Sequence, residues 1–202
     1  MMMNTHTRWI VALITALILA SLSVTGCTYN TTSGPSPTTT PTPTYSAPTN
    51  FMTYENSDYG FSIKYPPTWE RVGEQGISEP SGGSKPIVAF QLPTHNALEW
   101  VAVSVVPSLG SVTLKEMTQA NLNAAQKFPN YNLIDSGPTT LAGNPAQKIV
   151  FTATTDQHDL EILMMWTMSN GSEYMITYKA YPHNYDTYLG TAQQMIDSFN
   201  IE

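Results

Sequence analysis

Residues 156 to 161 read Asp-Gln-His-Asp-Leu-Glu, so three carboxylates and an imidazole fall within six positions. Carboxylate oxygens suit hard cations such as calcium, whereas an imidazole nitrogen draws a site toward zinc or copper. Asp156, His158, Asp159 and Glu161 are therefore the candidate metal ligands, for calcium or another divalent cation. The stretch lacks the glycine that bends a calcium loop, and no second ligand cluster follows at a recognisable spacing. The competing reading is a solvated turn between two strands, where acidic residues are common.

Other residues with chemical potential have stronger structural explanations. Glu55 and Asp58 could face a cation, but in Tyr-Glu-Asn-Ser-Asp-Tyr-Gly they read as turn residues. His95 and His183 stand alone, and Asn184 reads as the N-cap of a last helix. Met164, Met165, Met168 and Met175 flank Trp166 and could hold Cu(I), yet their strand positions are those of core filler. No Gly-x-Ser-x-Gly elbow, His-Glu-x-x-His motif or glycine-rich phosphate loop occurs, and a lone cysteine excludes dithiol redox work. A hydrolase remains an alternative without a motif.

That cysteine is Cys27. It follows Arg8 and an uncharged run, Trp9 to Val24, whose sixteen residues fall short of the roughly 20 that span a bilayer as a helix. A basic leader, an apolar stretch and a small-residue exit describe a secretory signal peptide. Val24-Thr25-Gly26-Cys27 resembles the bacterial lipobox, which implies cleavage before Cys27 and acylation of its thiol. The alternatives are an uncleaved anchor, for which the run is short, and a core cysteine, for which the position is wrong. The expectation is a signal peptide over 1–26 and a mature protein held at the extracytoplasmic face of the cell membrane by lipid on Cys27.

Residues 28 to 50 carry no charge and contain nine Thr, five Pro and three Ser. They cannot build a core, and the prolines favour extended backbone, so 27–50 reads as a lipidated cysteine and spacer. Asn30-Thr31-Thr32 and Asn170-Gly171-Ser172 match the N-glycosylation sequon. The chain has 8 Lys and Arg against 15 Asp and Glu, and its basic residues are scattered, which argues against a nucleic-acid partner.

The elements that must position any site lie in 51–202, one globular domain. Met52–Glu55 and Phe61–Tyr65 read as strands, the latter ended by Pro66-Pro67. Ile87–Leu92 and Leu98–Val106 follow, after a Gly/Ser/Pro loop over 73–86. Thr113-Leu114-Lys115-Glu116 matches a capping box, and Leu114, Met117, Asn121, Ala124 and Phe128 share a face, predicting a helix over about 113–127. Tyr131–Thr140 with Pro145–Thr155, and Leu160–Ser169 with Glu173–Ala180, read as hairpins, the second turned at Asn170-Gly171. Tyr185, Tyr188, Leu189, Ala192, Met195, Ile196 and Phe199 recur at helical spacing. Ile162, Met164 and Trp166 face one side of their strand while Leu163 and Met165 face the other, so both faces of the sheet need covering. The expected fold class is α+β, an antiparallel β-sheet sandwiched between α-helices.

"YGFSIKYPPTWE" over 59–70, the midchain helix and the terminal "MIDSFNI" resemble the PsbP family. These are extrinsic proteins of the photosystem II oxygen-evolving complex, with lipoprotein relatives in non-photosynthetic prokaryotes. The similarity runs over 51–202 in element order. It implies an α-β-α sandwich and a non-enzymatic role in binding or assembly, and photosystem members are associated with calcium and chloride retention. No motif carries a metal ligand onto a position of this chain.

The first expectation is thus a lipid-anchored, extracytoplasmic binding or scaffold module facing an unidentified envelope or membrane protein. Tyr59, Trp69 and Tyr181 are its candidate contact residues, because Trp and Tyr dominate binding hot spots. A cation-binding accessory protein using Asp156, His158, Asp159 and Glu161 is the second.

Overall fold

The computed structural model describes residues 45–73, 85–94 and 96–202. The stretch expected to be a signal peptide, Cys27, most of the expected spacer, residues 74–84 and His95 lie outside the described residues. Strands β1 (Met52–Asn56), β2 (Phe61–Tyr65), β3 (Glu70–Gly73), β4 (Pro86–Gln91) and β5 (Trp100–Val106) precede helix α1 (Leu114–Ala125). Strands β6 (Asn132–Leu141), β7 (Asn144–Thr155), β8 (His158–Ser169) and β9 (Ser172–Ala180) follow, then helix α2 (Pro182–Asp197) and a short β10 (Asn200–Ile201).

The main sheet has seven strands in the order β3-β4-β5-β9-β8-β7-β6, all neighbours antiparallel. Its longest strands form a meander whose three turns, Ala142-Gly143, Asp156-Gln157 and Asn170-Gly171, recur every fourteen residues. All six turn residues have φ between 49° and 74°, the left-handed pair that matches the twist of a two-residue hairpin. The Asn170-Gly171 hairpin was legible as such. Asp156-Gln157 is the same device in residues that tolerate it less well.

Register sorts the side chains into two cores. Val101, Val103, Leu163, Met165, Ile176 and Tyr178 point to one face, where Tyr185, Ala192, Met195 and Ile196 of α2 cover them. Phe61 and Ile63 of β2 join that core. Ile149, Phe151, Leu160, Ile162, Trp166 and Met175 point to the other face and pack against α1 through Ala125, with Leu114, Met117 and Leu122 partly buried there. The sheet is therefore covered on both faces, as its two-sided apolar pattern requires.

The capping box forms as expected. Thr113 Oγ1 accepts the Glu116 N–H at 3.3 Å, and Glu116 Oε2 accepts the Thr113 N–H at 2.9 Å. The last helix starts differently from expectation. Tyr181 occupies the N-cap with Pro182 opening the helix, and Asn184 lies inside the first turn, its side chain directed to Glu99. Proline's fixed φ and missing N–H suit that opening position, which displaces the cap three residues upstream.

A second sheet was not expected. β1 and β2 stay out of the main sheet and form a three-stranded one, order β1-β2-β10, with the chain end pairing against Phe61 and Ser62. Tyr45, inside the stretch read as spacer, packs edge-on to Tyr188 with centroids 4.5 Å apart, and its hydroxyl lies 3.2 Å from Thr191 Oγ1.

Candidate functional site

A pocket of about 120 Å³ opens between the C-terminal half of α1 and the sheet face beneath it. Its floor follows from strand register. Trp100 pairs with Lys179, Lys179 with Ile162, and Ile162 with Phe151, so these four side chains cross β5, β9, β8 and β7 in one row on the α1 side. Met164, Met175 and Thr177 lie in neighbouring rows, and Ala124, Ala125 and Phe128 form the roof. α1 is held over the sheet by the Trp166 indole N–H, which donates to Thr118 Oγ1 at 3.2 Å, and by Asn121, whose Nδ2 donates to Glu173 at 2.6 Å.

Most of the wall is apolar; Ser104, Asn121, Thr155, Thr177 and Lys179 are the polar residues in it, and two of these stand out. Lys179 is only 4% exposed, its Nζ 4.4 Å from the centroid of the Trp100 ring. Among the described residues no carboxylate forms an ion pair with it and no acceptor hydrogen-bonds it. Burial lowers its pKa from 10.5 to about 8, against a partial upward pull from the Asp156 charge. The other is Thr155, buried at the β7 end, whose Oγ1 has no hydrogen-bond partner among the described residues.

Two further charged groups are buried near the sheet. Glu173 accepts from Asn121, and burial raises its pKa although that hydrogen bond pulls the other way. Glu99, on the α2 face, is 1% exposed and accepts the Tyr181 N–H at 3.1 Å and Asn184 Nδ2 at 2.9 Å, both on Oε1.

The meander distributes the predicted metal ligands rather than collecting them. Asp156 sits in the β7–β8 turn, and the alternation of β8 sends His158 to the α1 face and Asp159 and Glu161 to the opposite one. Asp159 Oδ1 accepts the Thr154 hydroxyl at 2.6 Å, and His158 packs edge-on to Tyr181. Glu161 has its pKa raised by partial burial and by Asp186. Among the described residues no group of three or more His, Cys, Asp or Glu side chains is arranged to hold a metal ion. Of the methionines, Met164 and Met175 line the pocket while Met165 packs in the opposite core.

The three aromatic contact candidates part company. Trp69 is 2% exposed and packs near Tyr188, so it is a core residue with no surface to offer a partner. The turn after Pro66-Pro67, closed by a 3.0 Å bond from the Trp69 N–H to the Pro66 carbonyl, folds the indole inward. Tyr59 is half-buried; its N–H donates to Asn56 Oδ1 at 3.0 Å and its carbonyl accepts from the Tyr174 hydroxyl at 2.9 Å. Tyr181, also half-buried, stacks on His183. In "NSDYG" the Asn56 bond makes a side-chain-closed turn, the role expected of that segment.

Sequence reasoning missed Lys179. The signal was present: in Ser-Glu-Tyr-Met-Ile-Thr-Tyr-Lys-Ala, strand alternation puts Lys179 in the series of Met175 and Thr177, on a face that needs covering.

An antiparallel sheet covered by a helix on each face, with a pocket under the crossing helix α1, defines an α+β sandwich of the PsbP type. The chain belongs to the PsbP-like protein family, whose sequence profile it matches over residues 11–201. The fold is shared with cyanobacterial PsbP (CyanoP) from Synechocystis sp. PCC 6803, at 15% identity and a TM-score of 0.54 over 75% of this chain and 92% of that one. It is shared equally with LpqN of Mycobacterium tuberculosis, a protein involved in cell envelope biogenesis, at 13% identity and a TM-score of 0.54 over 75% and 90% of the two chains. No curated protein matches the chain in sequence.

Proposed function

We propose that this chain is a lipid-anchored, extracytoplasmic binding module that acts on its envelope partner or ligand without catalysis. The observation that carries the reading is the apolar pocket beneath α1, a concave surface with few polar groups, which is the common form of a ligand site. Cys27, at the end of a lipobox-like leader, provides the tether, and the Thr/Pro-rich spacer provides reach. Because Tyr45 is already packed on the domain, the tether is the stretch between Cys27 and Tyr45, which at about 3.1 Å per residue in extended form reaches roughly 50 Å. The involvement of LpqN in envelope biogenesis fits a protein working at the same cell boundary.

The test is metabolic labelling with an alkyne fatty acid, followed by cross-linking on intact membranes, for wild type and Cys27→Ser. Labelled wild type that is cleaved by protease added outside the inner membrane, and that cross-links to an envelope component, supports the reading. A chain that stays unlabelled and protected overturns the anchor and the location together.

A further inference from the structure

The pocket under α1 combines two features that a mere packing defect lacks. One is a buried ammonium, Lys179, that lies over the face of Trp100 and forms no ion pair among the described residues, the Asp156 charge acting on it only from a distance. The other is the Thr155 hydroxyl, buried and unpartnered on the same pocket. Burying a cation and a hydroxyl without partners is costly, so a polar group from outside that meets them gains what the fold leaves unmet. The apolar part of the wall, which includes Phe128, Phe151 and Met175, suits an apolar body.

We infer that this pocket binds a small organic acid, its carboxylate paired with Lys179 and its apolar or aromatic body seated against Phe128, Phe151 and Met175. The assignment rests on the reading of the chain as a binding module and names the ligand class for it. Size supports it: the cavity of about 120 Å³ is comparable with the roughly 150 Å³ apolar cavity that admits benzene. Charge supports it too. A cationic ligand meets Lys179 as a like charge. An inorganic phosphate brings four hydrated oxygens to a pocket whose lining is mostly apolar, and it gains nothing from Phe128, Phe151 and Met175 in return for its lost water. A neutral ligand fills the cavity but leaves the ammonium unpaired.

The experiment is calorimetric titration of the full-length chain, held in lipid nanodiscs, with benzoate, benzyl alcohol, benzylamine and inorganic phosphate. The proteins are wild type and Lys179→Met, a substitution of similar length that suits the apolar surroundings. Wild type is expected to bind benzoate roughly tenfold or more tightly than benzyl alcohol, and to take neither benzylamine nor phosphate. Lys179→Met is expected to lose that preference while still taking benzyl alcohol, which shows that it is folded with its pocket intact. Benzoate no tighter than benzyl alcohol, a preference that survives Lys179→Met, or no benzoate binding at about 10 mM, tenfold above a millimolar affinity, each overturns the assignment. Failure here leaves the tethered binding reading standing, because that reading is scored on Cys27 labelling and cross-linking.

Discussion

Asn184 Nδ2 donates to Glu99 Oε1 at 2.9 Å, and the same oxygen accepts the N–H of Tyr181 at 3.1 Å. A carboxylate at the mouth of β5 thus serves the N-terminus of α2, which has no side-chain cap of its own. The placement is favourable twice, since the helix N-terminus attracts negative charge and its first N–H groups lack intrahelical acceptors. Asn184→Ala removes one of the donors that offset the burial of Glu99. It is expected to lower stability by about 1–2 kcal/mol, read as a thermal midpoint several degrees lower. An unchanged midpoint would mean that water replaces the amide.

Tyr45 ties the segment before β1 to α2. Its ring meets Tyr188 edge-on and its hydroxyl reaches Thr191, both on α2. Tyr45→Ala is expected to cost about 1–2 kcal/mol and to open the residues between position 45 and Phe51 to limited proteolysis. Cleavage at the same positions as wild type would show that the contact holds nothing in place.

Glu173→Gln is expected to raise stability at neutral pH. The carboxyl is buried with its pKa raised, so the folded protein holds that proton more tightly than the unfolded chain does. Glu173 therefore contributes most below its unfolded pKa, and the contribution is lost as pH rises through the folded value. The amide keeps an acceptor for Asn121 without the charge. Denaturant unfolding at pH 7 and pH 4 checks it: the gain of the variant should shrink at the lower pH.

What could be read in advance was local. Asn170-Gly171 announced its turn because both residues accept left-handed backbone, and Thr113 with Glu116 announced α1 because the two cap each other within one turn. The two-sided apolar pattern of β8 required cover on both faces, which fixed the sandwich. What escaped was set at long range. β10 pairs with β2 across some 140 residues of chain, a contact without local signature, so the three-stranded sheet went unseen. Asp156-Gln157 looked like chemistry because of its charge, whereas its backbone serves as the second of three equal hairpin turns. Lys179 looked like one of several scattered cations, and only its register opposite Trp100 buries it.

Added calcium should leave the midpoint where chelator leaves it. His158 lies on the face of β8 opposite to Asp159 and Glu161, and Asp159 is already engaged by Thr154. A ligand bound only by the folded state adds about 2.7 kcal/mol at a hundredfold excess over its Kd, which is several degrees for a domain of this size. Thermal unfolding in EDTA and then in calcium or zinc reads the difference. A shift of that size, abolished by Asp156→Ala, would restore the carboxylate turn as a metal site.

Lys179 makes alkaline stability the most specific signature of the fold. The pKa of its ammonium is lowered from 10.5 to about 8 by burial, so between about pH 8 and pH 10 the unfolded chain holds a proton that the folded protein has shed. The unfolded state binding more protons means that stability rises with pH through this window, by on the order of 3 kcal/mol if the whole shift is realised. Above pH 10 the trend should reverse. Burial raises the pKa of the Tyr178 and Tyr185 hydroxyls, so there the folded state keeps protons that the unfolded chain loses. Urea unfolding at pH 7, 8, 9 and 10 should trace the rise in wild type. Lys179→Met should start higher at pH 7, since it buries no charge, and should lack the rise. A wild type that loses stability steadily from pH 7 to pH 10 would mean that a counter-charge reaches Lys179 in solution and that its ammonium is not isolated beneath α1.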